Sequence, residues 1–395
     1  MQLEESMELT KKVRNYIPND ISFDILSKLP MKSLKRFTCV CKFWANLFEN
    51  HQLMKMYRKH LYLSNYDDHH YSRLLLKQTP ASYEFDGNDN IFLFSGETFG
   101  NSIKLDWPPP FKENCRDIFI VGSTVNGILC LCQGDGRGDT SWINQKVVLW
   151  CPYTEEFNVI PDGSFDRTIL KAFPPDSVFD DLPIIPTIVN IHGFGYDPVT
   201  DDYKLIRYFC FFDDIKNSNP NEETLWQIYS LKSNCWRDLQ VKMPNHFWNN
   251  WFQEVGYSMY FHGMCHWWGY EDYFGEEILV SFNLSDEVII ETPFHSNCGR
   301  FVKHLVVLHD SIAAIEYGNS FYFFISILGE IGVEESWTRL YRIGPLPDME
   351  PIGVGNNGDI FFSGWLEKIE KFNLNTELIE DTGINGKFRC CQMIV

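Results

Sequence analysis

Three side chains of types that bind zinc lie close together in the segment HGMCH, at His262, Cys265 and His266. A tetrahedral zinc site needs all its ligands about 2 Å from one ion. The segment has the composition of a strand, and at roughly 3.3 Å per residue His262 and His266 would lie about 13 Å apart along it. The spacing therefore predicts no metal site, and we expect these residues to occupy core or surface positions.

Three glycines in GDGRGD, at Gly134, Gly136 and Gly138, are spaced in the manner of a phosphate-binding loop. Such loops hold phosphate because they lead into a helix N-terminus, whose N–H groups face the anion. The residues that follow, TSWINQKVVLW, have the pattern of a strand instead. We therefore interpret the segment as a hairpin loop and expect no cofactor.

Adjacent acids occur at 180–181, 201–202 and 213–214, in segments rich in turn residues. General acid and base pairs need burial and facing geometry, which neighbours in sequence do not provide. We expect these acids to be solvated turn residues. The sequence also has no G-x-S-x-G segment and no arrangement typical of a catalytic triad, so we expect no catalytic residues.

From about residue 91 the chain consists of short apolar runs bounded by Gly, Pro, Asn and Asp, a pattern typical of strands and tight turns. One strand-turn-strand theme recurs at 147–161, 226–239, 278–293 and 369–383, with glycine-led strands between the copies. No single hairpin can bury its own apolar face, so repeated pairs indicate sheets arranged around an axis. We predict a β-propeller of about five to seven blades.

The segment from residue 17 to 48 has a different pattern, with apolar residues at helical spacing in three short runs. The first run places Ile21, Ile25 and Leu29 on one helix face, and Pro30 ends it. Helices this short are unstable alone and must pack on each other or on a partner. The number of large apolar side chains indicates that part of this surface binds another protein.

The order of I-P-x-D, D-I-L, L-P-x-K-S-L-x-R-F and C-V-C-K-x-W resembles the F-box, a small helical module. The resemblance covers about residues 16–53 and implies docking to a Skp-family adaptor and, through it, to a cullin ubiquitin ligase. Ser22-Phe23 and Cys41 depart from the common pattern, without adding a charge or a helix breaker. The positions that the resemblance places against the adaptor are Ile17, Pro18, Ile21, Ile25, Leu26, Leu29, Pro30, Leu34, Phe37, Val40 and Trp44.

The segments NGILCL, LWCPYTEEF, GFGYDPVTDDYKLIRY, CWRDL, SFNLSDE and KFNLNTE resemble the F-box-associated domain of plant F-box proteins, including the S-locus and F-box/kelch-like families. The paired glycines of true kelch repeats are absent. The fold class that we expect is multidomain, α plus all-β: a short helical F-box followed by a large, kelch-like β-propeller with irregular repeats. The expected divisions are a disordered tail (1–12), the F-box (13–55), a helix and connector (56–90) and the propeller-like domain (91–390).

Charge and cysteine content indicate the kind of partner that the protein binds and the compartment in which it works. Residues 11–60 carry a net charge of +8, whereas the chain as a whole carries −19. An acidic body does not favour phosphate contact, so we expect protein partners rather than nucleic acid. The twelve cysteines include no C-x-x-C pair, the start has no secretory pattern, and no apolar stretch is long enough for a membrane span. We expect a soluble intracellular protein of the cytoplasm or nucleus.

These observations predict a non-catalytic adaptor subunit of an SCF-type ligase, in which the propeller binds a target protein for ubiquitination. The aromatic residues Trp248, Trp251, Phe252, Trp267 and Trp268 form the candidate target-binding surface, because Trp dominates binding hot spots. Aromatic faces also stack on sugars, so a glycan-binding body is an alternative, and a propeller enzyme with a metal centre is another.

Overall fold

The computed structural model describes residues 21–22, 25–26, 74–80, 88–95, 99–116, 118–133, 146–163, 188–210, 224–241, 258–270, 277–295, 303–355, 358–364, 368–385 and 388–394. The chain divides into two compact units, Met1–Ser64 and Asn65–Val395. In the first unit, Ile21, Ser22, Ile25 and Leu26 are helical. The second unit is built from strands.

Twenty-four strands lie within the described residues, and they form six four-stranded antiparallel sheets, here called blades 1 to 6. Blade 1 contains β1 (Leu74–Pro80), β2 (Asn90–Ser95), β3 (Asn101–Leu105) and β24 (Phe388–Ile394); blade 2 contains β4 (Ile118–Val125), β5 (Ile128–Gln133), β6 (Lys146–Trp150) and β7 (Phe157–Ile160); blade 3 contains β8 (Ile188–Asp197), β9 (Asp202–Cys210), β10 (Thr224–Ser230) and β11 (Cys235–Asp238). Blade 4 contains β12 (Ser258–Phe261), β13 (Met264–Tyr270), β14 (Glu277–Asn283) and β15 (Ile289–Phe294); blade 5 contains β16 (Lys303–Leu308), β17 (Ser311–Tyr317), β18 (Phe323–Leu328) and β19 (Trp337–Ile343); blade 6 contains β20 (Met349–Val354), β21 (Ile360–Gly364), β22 (Lys368–Asn373) and β23 (Leu378–Asn385).

The blades are arranged as a ring. Strands are counted outward from the innermost one, which gives the order β24, β1, β2, β3 in blade 1 and chain order in blades 2 to 6. The inner strands β4, β8, β12, β16, β20 and β24 contact those of neighbouring blades. Blade 1 is completed by both ends of the domain, because β24 pairs antiparallel with β1, from Leu75 opposite Ile394 to Pro80 opposite Phe388. The six blades confirm the predicted propeller.

Alternate residues of a central strand face opposite neighbouring blades, which explains the continuous apolar runs. In β5, Leu129 and Leu131 pack in the cluster shared with blade 1, whereas Cys130 and Cys132 pack in the cluster shared with blade 3. Six such clusters of buried residues lie between successive blades of the described ring. A strand that is covered on both faces carries apolar residues at every position.

Strand direction gives the propeller two different ends. Within a blade, the connections after the first and third strands lie at one end, here called the hairpin face. The connections after the second and fourth strands lie at the other end, here called the loop face. The long connections at 134–145, 164–187, 211–223 and 242–257 therefore begin and end on the loop face.

The hairpin face is built from tight turns with recurring backbone geometry. Asn126-Gly127 and His262-Gly263 both have positive φ at each residue, as a two-residue type I′ hairpin requires. The turns in FNLSDE and FNLNTE repeat another design: the Oδ1 atoms of Asn283 and Asn373 each accept two backbone N–H bonds. The recurring theme in the sequence is therefore the repeated turn between the third and fourth strands of a blade.

The predicted connector contains a strand of the propeller. Residues 56–90 were expected to be a helix and a connector with an early strand; that strand is β1, which belongs to blade 1 and pairs with both β2 and β24. The division between the units falls after Ser64. The polar residues after β1 concealed its role, because its partner β24 lies at the far end of the sequence.

Candidate interaction sites

The first candidate site is the helical surface at the N-terminal positions. Ile21 and Ile25 are both helical positions and are four residues apart, the spacing of neighbours on a helix face, and each is 50% exposed. Leu26 is only 4% exposed, and its place in the adaptor-facing set stays a prediction. The remaining predicted adaptor-facing positions lie outside the described residues: Ile17, Pro18, Leu29, Pro30, Leu34, Phe37, Val40 and Trp44.

The predicted aromatic surface is wrong for two of its five members. Trp267 and Trp268 are 2% and 9% exposed. They lie in β13, a central strand, and face opposite neighbours. Trp267 stacks with Trp226 of blade 3 at 6.1 Å between ring centroids, and Trp268 stacks with Trp337 of blade 5 at 6.4 Å. Both rings therefore fill the cores between blades, because a central strand of a propeller has no free face.

The other three members, Trp248, Trp251 and Phe252, lie outside the described residues. They belong to the connection between β11 and β12, which leaves and re-enters the propeller at the loop face. Their proposed contact with a target therefore stays a prediction about that face.

The HGMCH segment is not a continuous strand. His262 and Gly263 form the hairpin turn, and β13 begins at Met264. Cys265 packs towards blade 3, whereas the Nδ1 atom of His266 lies 2.8 Å from the Ser281 hydroxyl, and both side chains are fully buried. Burial lowers the pKa of His266 to about 4. Nowhere in the described part of the chain do three His, Cys, Asp or Glu side chains form a group that could hold a metal ion. Gly134, Gly136 and Gly138 lie outside the described residues.

The acids at 201–202 were expected to be solvated, and this was wrong for one of them. Asp202 is 5% exposed and accepts hydrogen bonds from the Ser230 hydroxyl and the Lys232 backbone N–H. Asp201 accepts a hydrogen bond from the Tyr196 hydroxyl. Both carboxylates therefore brace the turns of blade 3. The acids at 180–181 and 213–214 lie outside the described residues.

Sequence reasoning missed a buried ion pair that joins blades 3 and 4. The Lys204 ammonium lies 2.8 Å from Asp197 and donates to the Leu284 carbonyl at 2.7 Å. Ser285 and Thr200 donate to the same carboxylate. Burial alone would raise the pKa of Asp197, but the hydrogen bonds from Lys204, Ser285 and Thr200 outweigh it and hold the pKa well below its usual range. The cluster is structural, since its polar groups satisfy one another.

Among the described residues, no helix is both long enough and apolar enough to cross a lipid bilayer.

Comparison with known proteins matches both units. A family model described as F-box-like matches residues 15–59. A second, the F-box associated beta propeller domain, matches residues 91–368. The fold and these matches define a β-propeller protein with an N-terminal F-box. The chain belongs to the family of plant F-box proteins that carry an F-box associated propeller domain.

Relatives in Arabidopsis thaliana agree with this family. A putative F-box/kelch-repeat protein is 24% identical, over 94% of this chain and 90% of its own length. An F-box protein is 26% identical, over 83% of this chain and 72% of its own length. A putative F-box protein is 23% identical, over 70% of this chain; the match spans only 60% of that relative.

Solved structures give weaker likenesses. TolB from Acinetobacter baumannii has a TM-score of 0.45 and 9% identity, over 81% of this chain and 65% of its own. The β-propeller domain of the Trilobed protease from Pyrococcus furiosus has a TM-score of 0.35 and 8% identity, over 78% of this chain and 79% of its own. Likenesses at this level carry no functional inference.

Proposed function

We propose that the protein is the substrate-recognition subunit of an SCF-type cullin ubiquitin ligase. The observation that carries this proposal is the union, in one chain, of an F-box-like segment at 15–59 and an F-box associated propeller at 91–368. The first module docks a Skp-family adaptor, and the second binds the target protein. We place the complex in the cytoplasm or the nucleus.

The helical positions support adaptor docking. Ile21 and Ile25 expose half of their surface although both are aliphatic, and their spacing is that of neighbours on a helix face. A helix with an apolar face open to solvent is suited to docking against another protein. Leu29, Leu34, Phe37, Val40 and Trp44 extend this surface in our proposal, together with Ile17, Pro18 and Pro30.

The protein supplies no chemistry of its own in this proposal. The ring is filled by apolar clusters between blades, and the buried Asp197–Lys204 ion pair is satisfied within the scaffold. The propeller holds the target beside the transferring enzyme, and the rate gain comes from a raised effective concentration of target lysines.

Adaptor binding tests the proposal. The full chain is co-purified with a Skp-family adaptor, and the affinity is measured by titration for the wild type and Ile25→Asp. Burying an isoleucine side chain is worth roughly 1.5–3 kcal/mol, and a charge placed in that contact adds to the loss. We expect at least a tenfold weaker affinity. Leu29→Asp and Leu34→Asp are expected to act in the same way.

Val199→Asp is the matched control. Val199 is aliphatic and 79% exposed, and it lies in the turn between β8 and β9 of the propeller. This variant is expected to bind the adaptor like the wild type. An Ile25→Asp variant that bound the adaptor at full strength, or a wild type that did not bind, would contradict the docking assignment.

The glycan-binding alternative rested on exposed aromatic rings. Of these, Trp267 and Trp268 are buried, and the alternative now depends on Trp248, Trp251 and Phe252. A glycan array probed with the full chain tests it. Binding to one glycan class, lost in Trp251→Ala, would favour this alternative.

A further inference from the structure

The outer strand of blade 2 differs from the outer strands of the other five blades. β7 reads Phe-Asn-Val-Ile and contains no charged residue. The others all carry charge: β3 has Lys104, and β11, β15, β19 and β23 each contain at least one Arg, Asp or Glu. Natural sheets use charges at their edges to prevent pairing with another chain. β7 alone among the six described outer strands contains no charged residue, and the nearest charges are those of Glu155 and Glu156 directly before it.

The apolar side chains of β7 are open to solvent. Phe157 is 43% exposed and Val159 is 48% exposed. They stand opposite Trp150 and Val148 in the register with β6, and those two residues pack in the cluster shared with blade 1. Phe157 and Val159 therefore face the cleft between the outer strands of blades 1 and 2.

The opposite wall of this cleft is also apolar. Ile103 of β3 is 59% exposed. It stands opposite Leu93 in the register with β2, and Leu93 packs in the cluster shared with blade 2. Ile103 therefore faces the same cleft from the other side. β3 and β7 are the outermost strands of their blades and run in the same direction.

The backbone of β7 also offers a pairing edge. The strand is regular, with four successive partners in β6 and no register shift. It is the last strand of its sheet in the described part of the molecule. In an antiparallel pair, every second residue directs its N–H and C=O away from its partner. An edge that is regular, uncharged and apolar is the form that accepts an added strand.

We propose that the cleft between blades 1 and 2, lined by Ile103, Phe157 and Val159, binds an extended, uncharged segment of the target protein, which adds to β7 as a fifth strand. The spacing of Phe157 and Val159 sets the chemistry of this segment: aliphatic or aromatic residues at alternate positions, pointing into the cleft. The apolar lining of the cleft disfavours acidic or basic side chains at the positions that point into it. The inference rests on the proposed role of the propeller in target binding.

Defined peptides provide the probe. The set consists of fluorescein-labelled octapeptides of pattern K-x-T-x-T-x-T-K, in which x is Val, Ile, Leu or Phe. The comparison set has the same compositions with the apolar residues adjacent, K-x-x-x-T-T-T-K. Binding to the full chain, both alone and with its adaptor, is measured by fluorescence anisotropy over peptide concentrations that detect dissociation constants up to about 1 mM. We expect the alternating set to contain binders that bind at least tenfold more tightly than their rearranged counterparts.

Two variants test the location. Val159→Lys places a charge on the edge, as the other outer strands have, and Ile103→Lys changes the opposite wall without touching the β7 backbone. Each is expected to weaken the best peptide at least tenfold. Leu378→Lys is the matched control, because Leu378 is 62% exposed on β23, the outer strand of blade 6. Hydrogen exchange of the amides of 157–160 is expected to slow with peptide in the wild type and in the control.

Three results would overturn the proposal: no alternating peptide binds, Val159→Lys and Ile103→Lys bind as the wild type does, or the wild type self-associates through β7 so that a second copy fills the cleft. Adaptor affinity, measured for the same protein samples, distinguishes failure of the cleft proposal from failure of the proposed ligase function. Loss of peptide binding with normal adaptor binding refutes the cleft only, whereas peptide binding without adaptor binding refutes the ligase role only.

Discussion

Replacing Lys204 by Met should destabilise the propeller more than any other substitution of a lysine among its described residues. The Lys204 ammonium is buried between blades 3 and 4, with Asp197 at 2.8 Å and the Leu284 carbonyl at 2.7 Å. Methionine fills a similar volume but donates no hydrogen bond. The change therefore leaves a fully buried carboxylate without its cation and a carbonyl without its donor.

The magnitude follows from these lost contacts. Removing one partner of a buried ion pair costs about 3–5 kcal/mol, because the remaining charge stays in a poorly solvated place. Ser285 and Thr200 still donate to Asp197 in the variant, so we expect about 3 kcal/mol, at the lower end of this range. Asp197→Asn in the Lys204→Met background removes the stranded charge, and we expect it to restore about 1–2 kcal/mol.

Urea unfolding at pH 7, followed by tryptophan fluorescence, measures these differences. The matched control is Lys232→Met, in which an exposed lysine of the same blade loses only a hydrogen bond to the Thr200 carbonyl. It is expected to change stability by less than about 0.5 kcal/mol. A Lys204→Met variant within about 1 kcal/mol of the wild type, or a double variant less stable than the single one, would refute the reasoning.

Trp267→Ala removes a fully buried ring between blades 3 and 4. It is expected to lower the free energy of unfolding in urea by about 3–5 kcal/mol and to leave adaptor affinity unchanged. A decrease of less than about 1 kcal/mol would contradict the core position of this ring. Burial lowers the pKa values of His266 and His304 to about 4, below the unfolded value of about 6.5. Their neutral forms therefore stabilise the fold above pH 6.5, and this contribution is lost as the pH falls towards 4, at about 2 kcal/mol per histidine between pH 7 and 5. His304→Leu should reduce the change of stability between pH 7 and 5, whereas His262→Gln, at an exposed turn, should not. Thermal melting temperatures measured across this pH range test this. Equal pH slopes for the two variants would refute the attribution to the buried histidine. Deleting 388–394 is expected to produce an aggregating, protease-sensitive chain, and a monomeric, protease-resistant product would show that the ring does not need its last strand.

The blade architecture could be predicted because its physical cause is local. Runs such as ILCLC in β5 are apolar at every position, since both faces of a central strand are covered. The turns at Asn283 and Asn373 can also be predicted from the local sequence, because the asparagine side chain accepts hydrogen bonds from backbone N–H groups of its own turn. Local signals of this kind are sufficient to identify strands, turns and their repetition.

The rest depended on contacts between distant parts of the sequence. Trp267 and Trp268 are of a residue type that is common in binding surfaces. Only the position of β13 inside its sheet shows that both side chains are buried. The role of Lys204 depends on a carbonyl in blade 4, eighty residues away. The cleft at β7 was missed for the opposite reason: Phe157 and Val159 resemble core residues, and only the position of β7 at the edge of its sheet shows that they are exposed.

The pairing of β24 with β1 determines when the ring can close during synthesis. Translation delivers β1, β2 and β3 long before β24, the innermost strand of their blade. Until β24 has been made, the open edge of β1 and the apolar faces beside it lack that strand, and such edges invite aggregation or chaperone binding. The ring therefore closes only after all six blades have been synthesised. A chain that stopped before β24 would carry five blades with complete sequences and no closed ring, so this one strand matters to the fold of the whole domain.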